Sequence, residues 1–316
     1  MHRAVPAIGS HHMSALLQGA FSPSRDPAQH LLHVPYTRAA GVQYVGLNAG
    51  TVTLRQPFRT ALADPASGAI DQRAITALLD HACGVAVYLT LPIASPTATL
   101  DLRVAFPHAA APGEELLCEA AIVHADAALA VVNASVRGAQ SGRLVGSGSG
   151  CFMVGAHPGQ GPGKQIADPW HSSTPAIADA AEAGAAEFAS FAEFLGVKNL
   201  PASTRGAMAA GAVNAAAVEL AFQPHLVGAV SLPALHGGVT AAALASAAHA
   251  AMTASGKTGA RLASISIQYQ RAAQAKTLTA RARIEKQGGR TSNLAVSATQ
   301  DDGARVVATA QCVFLT

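Results

Sequence analysis

Two kinds of hydrophobic patterning alternate along the chain. TVTLRQPF (51–58) and AVELAFQPH (217–225) carry apolar side chains at every second position, the period of a strand with one buried face. AITALLDHACGVAVYLTL (74–91) and VTAAALASAAHAAMTASG (239–256) are apolar nearly all round and almost free of charge. That pattern predicts helices buried on every side rather than half exposed. Alternation returns after each helix, in LDLRVAF (100–106) and ASISIQY (263–269), and again in GSGSGCFMV (146–154) and VATAQCVFLT (307–316).

These segments form two series in the same order. Phe106 and Tyr269 stand 163 positions apart, and Phe152 and Phe314 162 apart. Four elements in one order at a nearly constant offset mark an internal repeat. Each unit reads as strand, helix, then three or four strands. A buried helix followed by an antiparallel meander predicts a sheet wrapped around that helix, and two such sheets side by side give an α+β fold with an internal pseudo-dimer. The expected limits are an N-terminal extension over 1–34, repeat 1 over 35–155, a linker over 156–175 marked by GPGKQIADPW, and repeat 2 over 176–316.

Composition narrows the classes of function. Charged residues make up 12% of the 316 positions and hydrophobic ones 50%, against a charged share of about 25% in ordinary globular domains. A surface so poor in charge predicts burial in subunit contacts, hence a homo-oligomer. A net charge of +3 without a Lys/Arg run argues against nucleic acid. Cys83, Cys118, Cys151 and Cys312 lack CxxC spacing and read as reduced thiols of a cytoplasmic protein, neither a disulfide framework nor a metal site. The N-terminal segment lacks the apolar core of a signal peptide, and no stretch approaches the roughly 20 apolar residues of a membrane helix.

Three segments carry a family resemblance: HGGVTAAAL (236–244), ALLDHACG (77–84) and TLDLRVAFPHAAAPGE (99–114). In this order and spacing they resemble the signature segments of hotdog-fold acyl-CoA thioesterases of the 4-hydroxybenzoyl-CoA and phenylacetate-pathway type. The resemblance covers residues 35–316 and implies a double hotdog. It also implies hydrolysis of an acyl-CoA, with CoA entering as part of the substrate and no separate cofactor. In that family an HGG turn opens the central helix, and its backbone N–H groups, at the positive end of the helix dipole, face the thioester carbonyl. An acid nine positions after the His, on the helix of the partner unit, orients and activates water. A Ser or Thr on the next strand assists it.

Carried onto this chain, the pattern divides unequally. Repeat 1 has the acid as Asp80 and the hydroxyl as Thr99, but Asp71-Gln72-Arg73 where the turn belongs. Repeat 2 has the turn as His236-Gly237-Gly238, but Ala245 and Leu262 at the acid and hydroxyl positions. The resemblance thus implies one complete site made of Asp80, Thr99, His236, Gly237 and Gly238, and an opposite site with neither acid nor turn. It does not choose between Asp80 as general base and as nucleophile.

Each feature also has a plainer reading. Asp80 alone is compatible with a buried structural carboxylate, and Gly237-Gly238 with a tight turn before a helix. His81, adjacent on the helix and so pointing elsewhere than Asp80, is expected to serve packing or a surface contact. Arg73 is expected to neutralise Asp71 or the empty site. The Lys286–Arg290 hairpin offers charge to a CoA phosphate or is simply a solvated turn. Two other functions stay open at this level: an acyl-CoA binding module without catalysis, and a hydratase or dehydratase on the same fold. The second wants an Asp-x4-His pattern, and Thr76 and Val85 occupy the His positions after Asp71 and Asp80.

Overall fold

The computed structural model describes residues 34–90, 97–155, 188–201, 215–229 and 234–316. The expected linker and all but the last residue of the expected N-terminal extension lie outside these. The first half contains α1 (Pro35–Ala40), β1 (Gln43–Asn48), β2 (Thr51–Gln56), α2 (Gln72–Thr90), β3 (Thr97–Ala105), β4 (Leu116–Ala125), β5 (Leu129–Gly138) and β6 (Leu144–Val154). The second contains α3 (Phe191–Leu195), β7 (Val197–Asn199), β8 (Ala215–Leu220), the short hairpin β9 (Val227–Ala229) and β10 (Ala234–Leu235), and α4 (Gly237–Ala254). It ends with β11 (Arg261–Tyr269), β12 (Leu278–Gln287), β13 (Thr291–Gln300) and β14 (Arg305–Leu315). Apart from the β9–β10 hairpin, the halves match element for element.

Twelve strands form one antiparallel sheet in the order β1-β2-β4-β5-β6-β3-β11-β14-β13-β12-β8-β7. Read from the centre outwards, this order is the same on both sides. The patterning predicts two sheets side by side; the structure joins them into one, with Asp101–Ala105 of β3 hydrogen-bonded to Ser264–Gln268 of β11. The physical reason is that each half alone would end on a strand with unpaired N–H and C=O groups, and pairing the two edges satisfies both. Helices α2 and α4 lie on the same face of this sheet, each on its own half, and pack against each other.

Small residues set that helix–helix approach. A Cβ added at Gly238 would overlap the Cα of Ala77. The buried run of Ala241, Ala242, Ala243, Ala245, Ala247 and Ala248 keeps the rest of α4 slim. Both helices are capped alike. In α2 the Arg73 N–H donates to Asp71 Oδ1 at 2.8 Å, and in α4 the Gly238 N–H donates to His236 Nδ1 at 3.0 Å.

Each half also reaches over the other. Helix α1 of the first packs on the 3-10 turn Pro224–Leu226 and on β9 of the second. Helix α3 of the second packs on the 3-10 turn Thr60–Leu62, with the Phe191 N–H donating to Ala63 O at 3.1 Å. The start of each long helix is therefore covered by a short helix from the opposite repeat.

Candidate active site

The five residues singled out from the sequence meet at the α2–α4 contact. Asp80 projects from the middle of α2 and is 5% exposed. The Thr99 hydroxyl donates to its Oδ1 at 3.0 Å. Its Oδ2 faces the start of α4: it lies 3.7 Å from His236 Nδ1, and a Cβ at Gly237 would come within 2.6 Å of it. Glycine at 237 thus leaves the carboxylate room, and glycine at 238 leaves the helices room.

Thr99 reaches Asp80 because of a β-bulge. Pairing of β3 with β6 shifts register between Thr99 and Asp101, so Leu100 is an extra residue. Strict alternation from the buried Leu102 and Val104 would turn Leu100 inward and Thr99 outward. The bulge reverses this, leaving Leu100 37% exposed and Thr99 on the helix side. The same irregularity recurs in β11 between Leu262 and Ser264, which sends Leu262 into the core as the counterpart of Thr99.

Burial pushes the Asp80 carboxyl up to about 6, and only the Thr99 hydroxyl and the Gly238 N–H restrain it from rising further. It is therefore mostly ionised at neutral pH, with a basicity well above that of a surface aspartate. Burial also holds the His236 imidazole neutral, down to about 3. The His236–Asp80 contact is accordingly not an ion pair. The ring acts as a cap, its Nδ1 accepting from Gly238, while its Nε2 lies 3.3 Å from His81 Nδ1.

Three neighbours were not found from the sequence as part of this site. His81 is buried against His236 with ring centroids 5.4 Å apart, so it is an inward contact and does not reach the surface. Tyr36 of α1 lies over His236 at 4.7 Å between centroids, and the Tyr269 hydroxyl donates to Gly237 O at 3.0 Å. His81 carried a signal, adjacency to the acid on a helix buried all round. Tyr36 and Tyr269 carried none, because only the fold brings α1 and the end of β11 to this place.

The equivalent position on the other half is filled differently. Asp71 and Arg73 form an ion pair, with Nε–Oδ1 at 2.9 Å, and Arg73 Nη1 donates to Ser246 Oγ at 3.0 Å. Gln72 Nε2 donates to Leu262 O at 3.0 Å, and the guanidinium sits over the Phe191 ring. Arg73 and its hydrogen bonds hold the Asp71 carboxyl below its usual range against the opposing effect of burial. Arg73 thus neutralises Asp71, one of the two roles expected for it. The Lys286–Arg290 hairpin is a largely exposed turn between β12 and β13.

Two surface grooves among the described residues lie away from Asp80. Of about 600 and 620 Å³, they run over the sheet face remote from the helices, past Arg103, Arg281 and Arg283, whereas Asp80 lies beneath the helix face. Among the described residues no His/Cys/Asp/Glu cluster is suited to a metal ion, and no helix is long and apolar enough to cross a membrane.

Comparison with known proteins bears on each half. The family model described as "Thioesterase superfamily" matches residues 74–145, and that described as "Acyl-CoA thioesterase N-terminal domain" matches residues 226–315. No curated protein sequence matches the chain. Among solved structures, a protein of Novosphingobium aromaticivorans designated a thioesterase superposes with a TM-score of 0.59 at 15% identity, over 86% of this chain and 97% of its own. The tesB protein of Mycobacterium avium subspecies paratuberculosis gives 0.56 at 12%, over 92% and 99%. A protein of Alicyclobacillus acidocaldarius described as having the hot dog fold gives 0.53 at 14%, over 89% and 97%. These likenesses speak for the fold. Two models of one family, matched in order along a chain built as two copies of one unit, make this protein a tandem member of the thioesterase superfamily.

Proposed function

We propose that the protein is an acyl-CoA thioesterase with a single composite active site, its acid and hydroxyl from repeat 1 and its helix-opening turn from repeat 2. We read the fold as a double hotdog, one unit over 35–155 and one over 176–316, joined along β3 and β11. The observation that carries the function is the meeting of a buried, ionisable carboxylate with a bare Gly-Gly helix start, contributed by residues more than 150 positions apart.

Thr99 occupies Oδ1 of Asp80, so Oδ2 is the oxygen presented to the turn. As a general base it takes a proton from water while the water oxygen bonds to the thioester carbon. The carbonyl oxygen becomes an oxyanion, and when the tetrahedral adduct collapses the C–S bond breaks and the CoA thiolate leaves, taking up the proton. As a nucleophile, Oδ2 itself bonds to the carbonyl carbon and expels CoA, and water then hydrolyses the mixed anhydride. Both routes need the ionised form and a donor for the oxyanion. The Gly238 N–H is committed to His236 Nδ1, which leaves the Gly237 N–H, at the positive end of α4, to meet the oxyanion. One such donor is worth about 10²–10³ in rate.

The opposite position has Ala245 where the acid would stand and no bare glycines, and its cation is spent on Asp71; it is silent in this reading. Association of double-hotdog chains into a homo-oligomer fits the low share of charged residues. The test is thiol release from a panel of acyl-CoAs running from acetyl through long-chain to aromatic. Hydrolysis of at least one member is the expected result. CoA binding without release from any member would replace this reading with that of an acyl-CoA binding module.

A further inference from the structure

We propose that Tyr269 is a positioning residue: its hydroxyl, donating to the Gly237 carbonyl, helps hold and polarises the Gly237–Gly238 peptide, which lies against the Asp80 carboxylate. The inference builds on the reading of Asp80 as the reactive acid, but it concerns a geometry that can be measured without turnover.

A peptide between two glycines has more rotational freedom than any other pair allows, since neither residue has a Cβ to restrict it. The helix does not restrain its N–H end either, because the first N–H groups of a helix have no partner in the helix's own ladder. The helix's own ladder holds only the carbonyl end, and two side chains complete the hold. His236 Nδ1 accepts from the Gly238 N–H at 3.0 Å, and the Tyr269 hydroxyl binds the carbonyl of the same peptide at 3.0 Å. A carbonyl that accepts a hydrogen bond polarises its own amide and makes the N–H on the far side a better donor. That N–H is one of the two groups favouring the charged form of Asp80. Tyr269 thus acts on the acid through one peptide unit.

The two repeats differ in the way this role requires. Tyr269 ends β11 and is paired with Ala308 of β14, so its ring is anchored on the sheet. Phe106, its counterpart in repeat 1, has no hydroxyl. The helix start on that side is Gln72-Arg73, held by its own side chains through Leu262 O and Asp71. The phenol appears on the half where the helix opens with bare glycines. Burial and the nearby Asp80 carboxylate push the phenol well above its usual range, so it remains a neutral donor at every working pH.

The experiment follows the Asp80 carboxyl directly, by ¹³C NMR titration of protein labelled at aspartate, with the resonance assigned through Asp80→Asn. In Tyr269→Phe the midpoint should rise by about half a pH unit as the Gly238 donor weakens. The pH–rate midpoint should rise with it, kcat falling about 3- to 10-fold and KM staying unchanged. Site-specific 3-fluorotyrosine at 269, a stronger donor of almost the same shape, should move the midpoint down, and it carries the test if the Phe variant does not fold. An unmoved Asp80 midpoint in the folded variants overturns the proposal. Absence of thioester hydrolysis by the wild type would instead overturn the functional reading, and the titration would still decide the role of Tyr269.

Discussion

Asp80→Asn should reduce thiol release at least about 100-fold while leaving the protein no less stable near pH 8. The rate effect follows from the chemistry. Asn keeps the shape of Asp and can still bond Thr99 and the Gly238 N–H, but it can neither accept a proton from water nor attack a carbonyl. General-base catalysis alone is worth about 10²–10⁴. The stability effect follows from linkage. A carboxyl raised from 3.8 to about 6 by burial adds stability below its unfolded pKa, and that contribution is lost as pH rises through about 6. Once ionised it costs the fold on the order of 3 kcal/mol. Removing the charge relieves that cost at pH 8. A carboxylate placed to hold the structure together would behave in the opposite way, so activity and melting temperature on one preparation separate the two roles.

Asp71→Ala should do the reverse, destabilising the protein by about 3–5 kcal/mol while leaving the Asp80 site intact. Arg73 has a side-chain exposure of 15% and Asp71 of 8%, and losing one partner strands the other charge away from water. The α2 cap at the Arg73 N–H goes as well, typically about 1 kcal/mol of the loss. Denaturant unfolding at pH 7 measures the effect. Replacing both residues, as Asp71→Ala with Arg73→Leu, should recover much of it because no unpaired charge remains. The linkage of Asp71 runs opposite to that of Asp80. Its carboxyl is depressed, so its contribution is present above the unfolded carboxylate pKa and is lost as pH falls through its lower folded value. A variant that cost no stability would mean the pair is not what fills the silent position.

The repeat was legible because its elements lean on periodicity, and a buried helix with few charges reads the same in either half. Asp80 and the Gly237–Gly238 turn were legible through the family resemblance of the segments that carry them; taken alone, each also fits a plain structural role. The union of the sheets along β3 and β11 was not, because edge strands carry no mark naming their partner. Thr99 was assigned by position alone. The bulge at Leu100 that turns it inward leaves no trace in composition, and alternation counted from Leu102 would have placed it on the wrong face. Tyr36 and Tyr269 were out of reach because they come from elements distant in sequence, one of them a six-residue helix crossing from repeat 1 to repeat 2. Of the two roles expected for His81, packing or a surface contact, the structure shows packing, against His236. Next to a second helix, its direction and that of Asp80 were both interior.

The pH dependence of kcat/KM for acyl-CoA hydrolysis, measured on wild type and on Asp80→Asn, tests the central claim most directly. The account predicts a one-proton rise through about pH 6, where the buried carboxyl ionises, a plateau towards pH 8, and no such step in the residual activity of the variant. A profile that is flat through this range, or a step that persists in Asp80→Asn, would contradict it.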